Sequence, residues 1–166
     1  QMLGLGAAAS ALSGELAFAQ AKDSVTIGWP SDVPSWDPNQ RFAPDAQSIF
    51  KLVFDTAIDQ GPDLKYVPRL VTKWELAADG RSLALELRDD IVFHNGDKMT
   101  AEDFRYTFFE RIKAGHAVDT KNSFRKVSDI EIQSPTKLLM KFSEPNATVV
   151  QWLGFMGSFV VPKKYM

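Results

Sequence analysis

The sequence reads as a mixed α/β fold. Two stretches alternate apolar and polar residues around short turns, around Leu83–Leu87 and Ile130–Phe142. Between them, the run from Thr100 to Gly115 has apolar residues at helical spacing, which places a helix among strands. With 166 residues the chain is long enough to bury a sizeable core.

Taken in order, Val25-Thr26-Ile27-Gly28-Trp29 is a short β-rich run that predicts a first strand, stopped by Pro30. Pro34 and Pro38 then hold an extended loop. Pro44-Asp45 opens a helical pattern in which Ile49, Phe50, Leu52, Val53 and Phe54 form a broad apolar stripe, expected to bury against a sheet. Gly61-Pro62-Asp63 punctuates it. Trp74 and Leu76 lead into an Asp79-Gly80 turn. Leu83, Leu85 and Leu87 follow in alternation, so a hairpin with one buried face is expected.

Ile91-Val92-Phe93 is expected to form a short strand before the turn His94-Asn95-Gly96-Asp97. Thr100 is a natural N-cap, and Glu102 and Asp103 place negative charge at the positive end of the helix dipole. Phe104, Phe108 and Ile112 share one face, with Phe109 beside them, and Gly115 ends the helix. A second hairpin pairs Ile130 and Ile132 with Leu138, Met140 and Phe142 across Ser134-Pro135-Thr136. Asn146 is the expected cap of a last apolar helix through Val149, Val150, Trp152 and Leu153.

Composition excludes several functions. Nineteen Lys and Arg against 21 Asp and Glu give a net charge of −2, which leaves no footprint for nucleic acid or an anionic membrane. No cysteine is present, which excludes disulfides, thiolate nucleophiles, Cys-ligated zinc and a lipoprotein anchor in this sequence. The apolar run Met2 to Gly14, followed by the small-x-small site Ala19-Gln20-Ala21, has the character of a secretory signal remnant over residues 1–21. Gly4-Leu5-Gly6-Ala7-Ala8-Ala9 matches a dinucleotide-binding pattern, but no strand precedes it, and that chemistry requires one.

Constellations for catalysis are sparse. The two histidines, His94 and His116, belong to no metal-ligand spacing, and neither a nucleophile elbow nor a phosphate-binding loop occurs. His94 with Asp97 could be read as the acid–base pair of a small exported hydrolase, or as polar residues of an Asn-Gly turn, and an exported interaction domain is the other alternative. Trp29, Trp36 and Phe42 gather around the proline-rich loop. Aromatics there either contact a ligand, offering rigid area at low entropic cost, or pack the loop onto the sheet.

The run Val67 to Ile112 resembles the extracellular solute-binding proteins of peptide, nickel and opine ABC importers, family 5 of that class. The resemblance lies in Pro68, Leu70 and Trp74, the Asp79-Gly80 turn, Leu87-Arg88, Phe93-His94-Asn95-Gly96 and Thr100-Ala101-Glu102-Asp103-Phe104. Val71, Asn95 and Phe104 depart mildly from the usual alanine, aspartate and valine. Ser35-Trp36-Asp37-Pro38 is similar to the family's Ser-Leu-Asp-Pro, Val53-Phe54-Asp55-Thr56 to its following helix, and Val161-Pro162-Lys163-Lys164 to a later Val-Pro-Lys.

The resemblance implies a type II periplasmic-binding-protein-like fold, two-lobed in a much longer chain and closing on its solute like a hinged trap. It divides this sequence into a first strand and loop of lobe I over 22–44, an inserted α/β subdomain over 45–162, and the start of a return over 163–166. It further implies a periplasmic, non-catalytic, monomeric receptor in a Gram-negative cell. That receptor would take a peptide, opine, sugar or metal chelate, use no cofactor, and pass its solute to permease subunits in the inner membrane. The residues it places toward the cleft are Arg41, Phe42, Phe155 and Met156, which join Trp29 and Trp36 as the candidate ligand contacts.

Overall fold

The computed structural model describes residues 25–40, 44–117, 120–155 and 157–165. The signal remnant and the glycine-rich run inside it therefore lie outside the described residues, as do Arg41, Phe42 and Met156.

The body is a four-stranded antiparallel sheet made of β3 (Val71–Leu76), β4 (Ser82–Leu87), β5 (Val127–Ser134) and β6 (Lys137–Phe142), in the order β3-β4-β6-β5. Both expected hairpins are present. Leu83 faces Met140 and Leu85 faces Leu138 across β4 and β6, and Ile130 faces Met140 across β5 and β6. Because side chains alternate across a strand, this register puts Leu83, Leu85, Leu87, Leu138, Met140 and Ile130 in one buried layer. The other face carries charge, with Lys73 paired to Glu86 and Lys141 to Glu131.

Helix α2 (Ala101–Arg105) covers the apolar layer and continues through a π-helical turn, Tyr106–Glu110, into α3 (Arg111–Ala114). The Thr100 hydroxyl accepts from the Glu102 amide, and the Asp103 carboxylate accepts from the Thr100 amide at 2.9 Å, a complete capping box. Gly115, at φ 85°, closes the segment in a conformation that costs a glycine nothing. Phe104 and Phe108 are fully buried, with ring centroids 4.6 Å apart, and Phe108 meets Phe124 of α4 (Thr120–Phe124) at 4.8 Å.

Several expectations are corrected. Val25 to Trp29 form no strand: a strand needs a neighbour for its backbone groups, none of the described residues pairs with this segment, and Val25 and Ile27 stand in solvent. Ile91 to Phe93 contribute one isolated bridge, Val92 to Lys98, because the tight turn at Gly96 returns the chain at once. Helix α1 (Pro44–Phe50) stops before the end of its apolar stripe, leaving Leu52 84% exposed. Its apolar face packs not on the sheet but on an aromatic cluster of Phe50, Phe54 and Phe159.

Helix α5 (Val149–Leu153) takes Thr148 as its N-cap, without a side-chain cap bond. Asn146 lies too early to cap it. Its Oδ1 accepts from the Thr148 hydroxyl, and its backbone amide donates to Gly80 at 2.9 Å. The hairpin of β1 (Ile58–Gln60) and β2 (Tyr66–Pro68) and helix α4 add to the expected elements.

Candidate functional site

Residues 35–40 build a loop that caps itself. The Ser35 hydroxyl accepts from the Asp37 amide at 3.2 Å, and Asp37 Oδ1 accepts from the Asn39 amide at 3.1 Å. These are the local side-chain-to-backbone bonds that Ser and Asp favour in turns, and they explain Ser-Trp-Asp-Pro as a shape-determining sequence.

Three side chains fix this loop to the body. Arg111, 3% exposed, donates from Nη1 to Asn39 Oδ1 at 2.8 Å and pairs through Nη2 with the Asp37 carboxylate. Asn39 donates from Nδ2 to the carbonyls of Gly157, at 2.9 Å, and Phe159, at 3.1 Å. The Thr120 hydroxyl donates to the Asn39 carbonyl at 3.1 Å. A buried guanidinium is tolerable only when paired and hydrogen-bonded, and Asp37 and Asn39 supply those partners.

This node bears on two of the candidate contacts, Trp36 and Phe155. Trp36 lies over Phe50, with centroids 6.2 Å apart, yet is 60% exposed, so it both anchors the loop and presents a ring to solvent. Trp29 is 46% exposed on the unpaired segment upstream. Phe155 is 40% exposed, edge-on to Trp152 at 5.7 Å, in the turn whose Gly157 carbonyl Asn39 holds. The structure therefore ties the Trp36 loop to the Phe155 turn, and it does not link Trp29 to either.

Sequence reasoning missed Arg111 and Asn39. The available signal was a charged residue seven positions after Phe104 and three after Phe108, on the face that those rings bury.

His94 and Asp97 do not form an acid–base pair. Asp97 accepts from Asn95 Nδ2 at 3.1 Å and pairs with Lys164 at 3.3 Å. The Asp97 carboxylate beside Lys164 holds that ammonium above its usual range. His94 lines an apolar hollow of about 240 Å³ with Phe54, Leu70, Met99 and Val160, which contains none of the candidate contacts. No group of three or more His, Cys, Asp or Glu among the described residues could hold a metal ion. No described helix is long and apolar enough to cross a membrane.

Of the remaining signature residues, Leu70 and Leu87 are buried in the core, and the others quoted at Asp79-Gly80 and Thr100–Asp103 shape a turn and a helix cap. Gly80 sits at φ 67°, with the site of a Cβ only 3.4 Å from Pro145, so the Asp-Gly turn is shaped by a close approach. Val-Pro-Lys docks on the long helical segment: the Val161 amide donates to the Thr107 hydroxyl at 3.1 Å and the Lys163 amide to Asp103 Oδ1 at 3.0 Å. Desolvation lowers the pKa of Lys163, but the flanking Glu110 and Glu102 outweigh it and leave the ammonium above its usual range.

Comparison with known proteins bears on the family and the fold. The family described as bacterial extracellular solute-binding proteins, family 5, middle, matches residues 65–165. The nickel-binding periplasmic protein of Escherichia coli is 29% identical over 87 residues, covering 52% of this chain and 16% of that protein. A probable peptide ABC transporter periplasmic-binding protein of Sinorhizobium fredii is 24% identical over 129 residues, covering 78% of this chain and 24% of that one. Among solved structures, the dipeptide-binding protein of a Pseudoalteromonas species in complex with Met-Leu superposes with a TM-score of 0.68 at 17% identity, over 77% of this chain and 29% of that one. The chain thus spans about a quarter or less of the length of the curated relatives it matches.

Proposed function

The chain belongs to the bacterial extracellular solute-binding proteins of family 5, and from that premise we propose that it forms part of the periplasmic substrate-binding component of an ABC importer. Members of this family are substrate-binding proteins rather than enzymes, and the relatives' names place them in the periplasm. The proposed cargo is a small solute, peptide or related, which the protein captures as a monomer and delivers to the permease subunits of the inner membrane. Residues 45–162 act as the inserted subdomain of the first lobe, with 22–44 and the segment from 163 belonging to the lobe itself.

The observation that carries this reading is the anchored, aromatic-bearing loop. The side chains of Ser35, Asp37 and Asn39 are used up in holding its shape, while the Trp36 ring remains free on one side. A rigid, half-exposed aromatic costs little entropy when it covers a ligand, and such surfaces suit capture without chemistry. Trp29, Trp36, Arg41, Phe42, Phe155 and Met156 are the proposed contacts. Lobe closure follows from the solute binding the closed form more tightly than the open one, so no residue needs to be catalytic.

The test is a thermal-shift screen of the full-length protein against short peptides, opines, sugars and nickel–histidine. One of these classes is expected to raise Tm saturably. Absence of any shift, together with turnover of a screened compound, would overturn the reading.

A further inference from the structure

Arg111, Asp37 and Asn39 join three separate parts of the chain at one buried point. Arg111 comes from the end of the long helical segment, and Asp37 and Asn39 from the loop. Through Asn39 the point extends to the Gly157 carbonyl, 118 residues away in sequence. The loop's apolar anchors are Val33, the buried Pro38 and the contact of Trp36 with Phe50. Its polar bonds beyond residue 40 converge on this point. A planar guanidinium with two acceptors fixes direction as well as distance, which a hydrophobic contact does not.

We propose that Arg111 is a positioning residue: through Asn39 it locks the Trp36 loop and the Phe155 turn into one ledge, so that the two segments loosen or hold together. This deepens the solute-binding reading and rests on it, since the ledge matters to function only if those aromatics face a solute. Asn39 is the element that makes the coupling two-sided, because one amide group accepts from Arg111 and donates to Gly157 and Phe159. Thr120, which grips the Asn39 carbonyl, holds that residue in place from α4.

The experiment is hydrogen exchange on the full-length protein, following peptides that cover residues 36–40 and 155–159, with β4 and β6 as internal controls. In Arg111→Gln and in Asn39→Ala, exchange in both segments is expected to rise about tenfold while the two strands keep their protection. Arg111→Lys keeps a charge for Asp37 but cannot fork to Asn39. It should restore most of the lost Tm without restoring protection of the 155–159 segment. Loosening of only one segment, of neither, or of the strands to the same degree would overturn the proposal. Asn39→Ala leaves the Arg111–Asp37 pair intact, so it decides the matter even if Arg111→Gln does not fold.

A parallel arm measures the thermal shift produced by a tryptone peptide mixture, by opines and by nickel–histidine. A shift in the wild type that falls at least by half in Asn39→Ala supports the ledge as part of the binding surface. A wild type that neither these three nor sugars move, with turnover of a screened compound, would end the solute reading, while the exchange result would still decide the coupling.

Discussion

The four-stranded sheet buries Leu83, Leu138, Met140 and Ile130 completely beneath Phe104 and Phe108, whereas the segment of residues 25–40 leaves Val25, Ile27, Trp29 and Trp36 largely in solvent. The first region is held by apolar area removed from water, a force without direction that tolerates small changes of angle. The second is held, beside the apolar contacts of Val33, Pro38 and Trp36, by a buried cluster of charged and polar groups at residues 37–39, in which direction matters. The proposed receptor needs both: a frame that does not move, and a surface whose aromatics can stay half exposed because polar bonds help to hold them.

The largest expected effect lies in the frame. Phe108→Ala removes a ring that touches both Phe104 and Phe124. It should cost about 3–5 kcal/mol in denaturant unfolding, as large-to-small changes in a packed core do. Next comes the node. Arg111→Gln leaves Asp37 without its cation, in a site where Arg111 is 3% exposed, and should cost about 3 kcal/mol. The two losses should differ in kind: Phe108→Ala should loosen the sheet, and Arg111→Gln the loop.

Smaller effects follow at the helix start. Thr100→Ala removes the hydroxyl that accepts from the Glu102 amide and should cost about 1 kcal/mol, measurable as a Tm lower by a few degrees. Smallest is the surface pair of Arg88 and Asp90, in which the hydrogen bond from Arg88 holds the Asp90 carboxyl below the usual carboxylate range. A depressed folded-state pKa adds stability that is present above the ordinary carboxylate pKa and is lost as pH falls through the folded-state value. Since both groups are exposed and screened, Asp90→Asn should move Tm by no more than about 1 °C at neutral pH, with the difference vanishing in acid.

The same contrast explains what could be read in the chain. The two hairpins and the capped helix were legible because each is set by nearby residues: alternating leucines, an Asp-Gly or Pro-Thr turn, and Thr100 three residues before Asp103. The segment Val25 to Trp29 has the composition of a strand, but strand formation depends on a neighbour that no local pattern supplies. The hairpin of β1 and β2 has strands of only three residues around a turn in which Leu64 takes φ 63°, a conformation its sequence does not advertise. The π turn at Tyr106 to Glu110 lies within an ordinary amphipathic spacing and leaves no trace in it.

At the candidate site, the loop and its aromatics were visible as proline spacing and exposed ring types. The node beneath them was not, because it joins residues 72 and 118 positions apart. The proposed contacts thus came from residue type and place at Trp29, Trp36 and Phe42 and from the family resemblance at Arg41, Phe155 and Met156, whereas the residues that hold the Trp36 loop to the Phe155 turn emerge only from the three-dimensional arrangement.

The most direct test of the division between frame and binding surface is Trp36→Ala in the full-length protein, with Tm and the solute-induced shift read on the same samples. Trp36 keeps 60% of its surface in water, so its removal should lower Tm by no more than about 2 °C while abolishing most of the shift given by the solute that stabilises the wild type. A full solute-induced shift in Trp36→Ala, accompanied by a large fall in its unliganded Tm, would contradict the account and make the loop part of the frame.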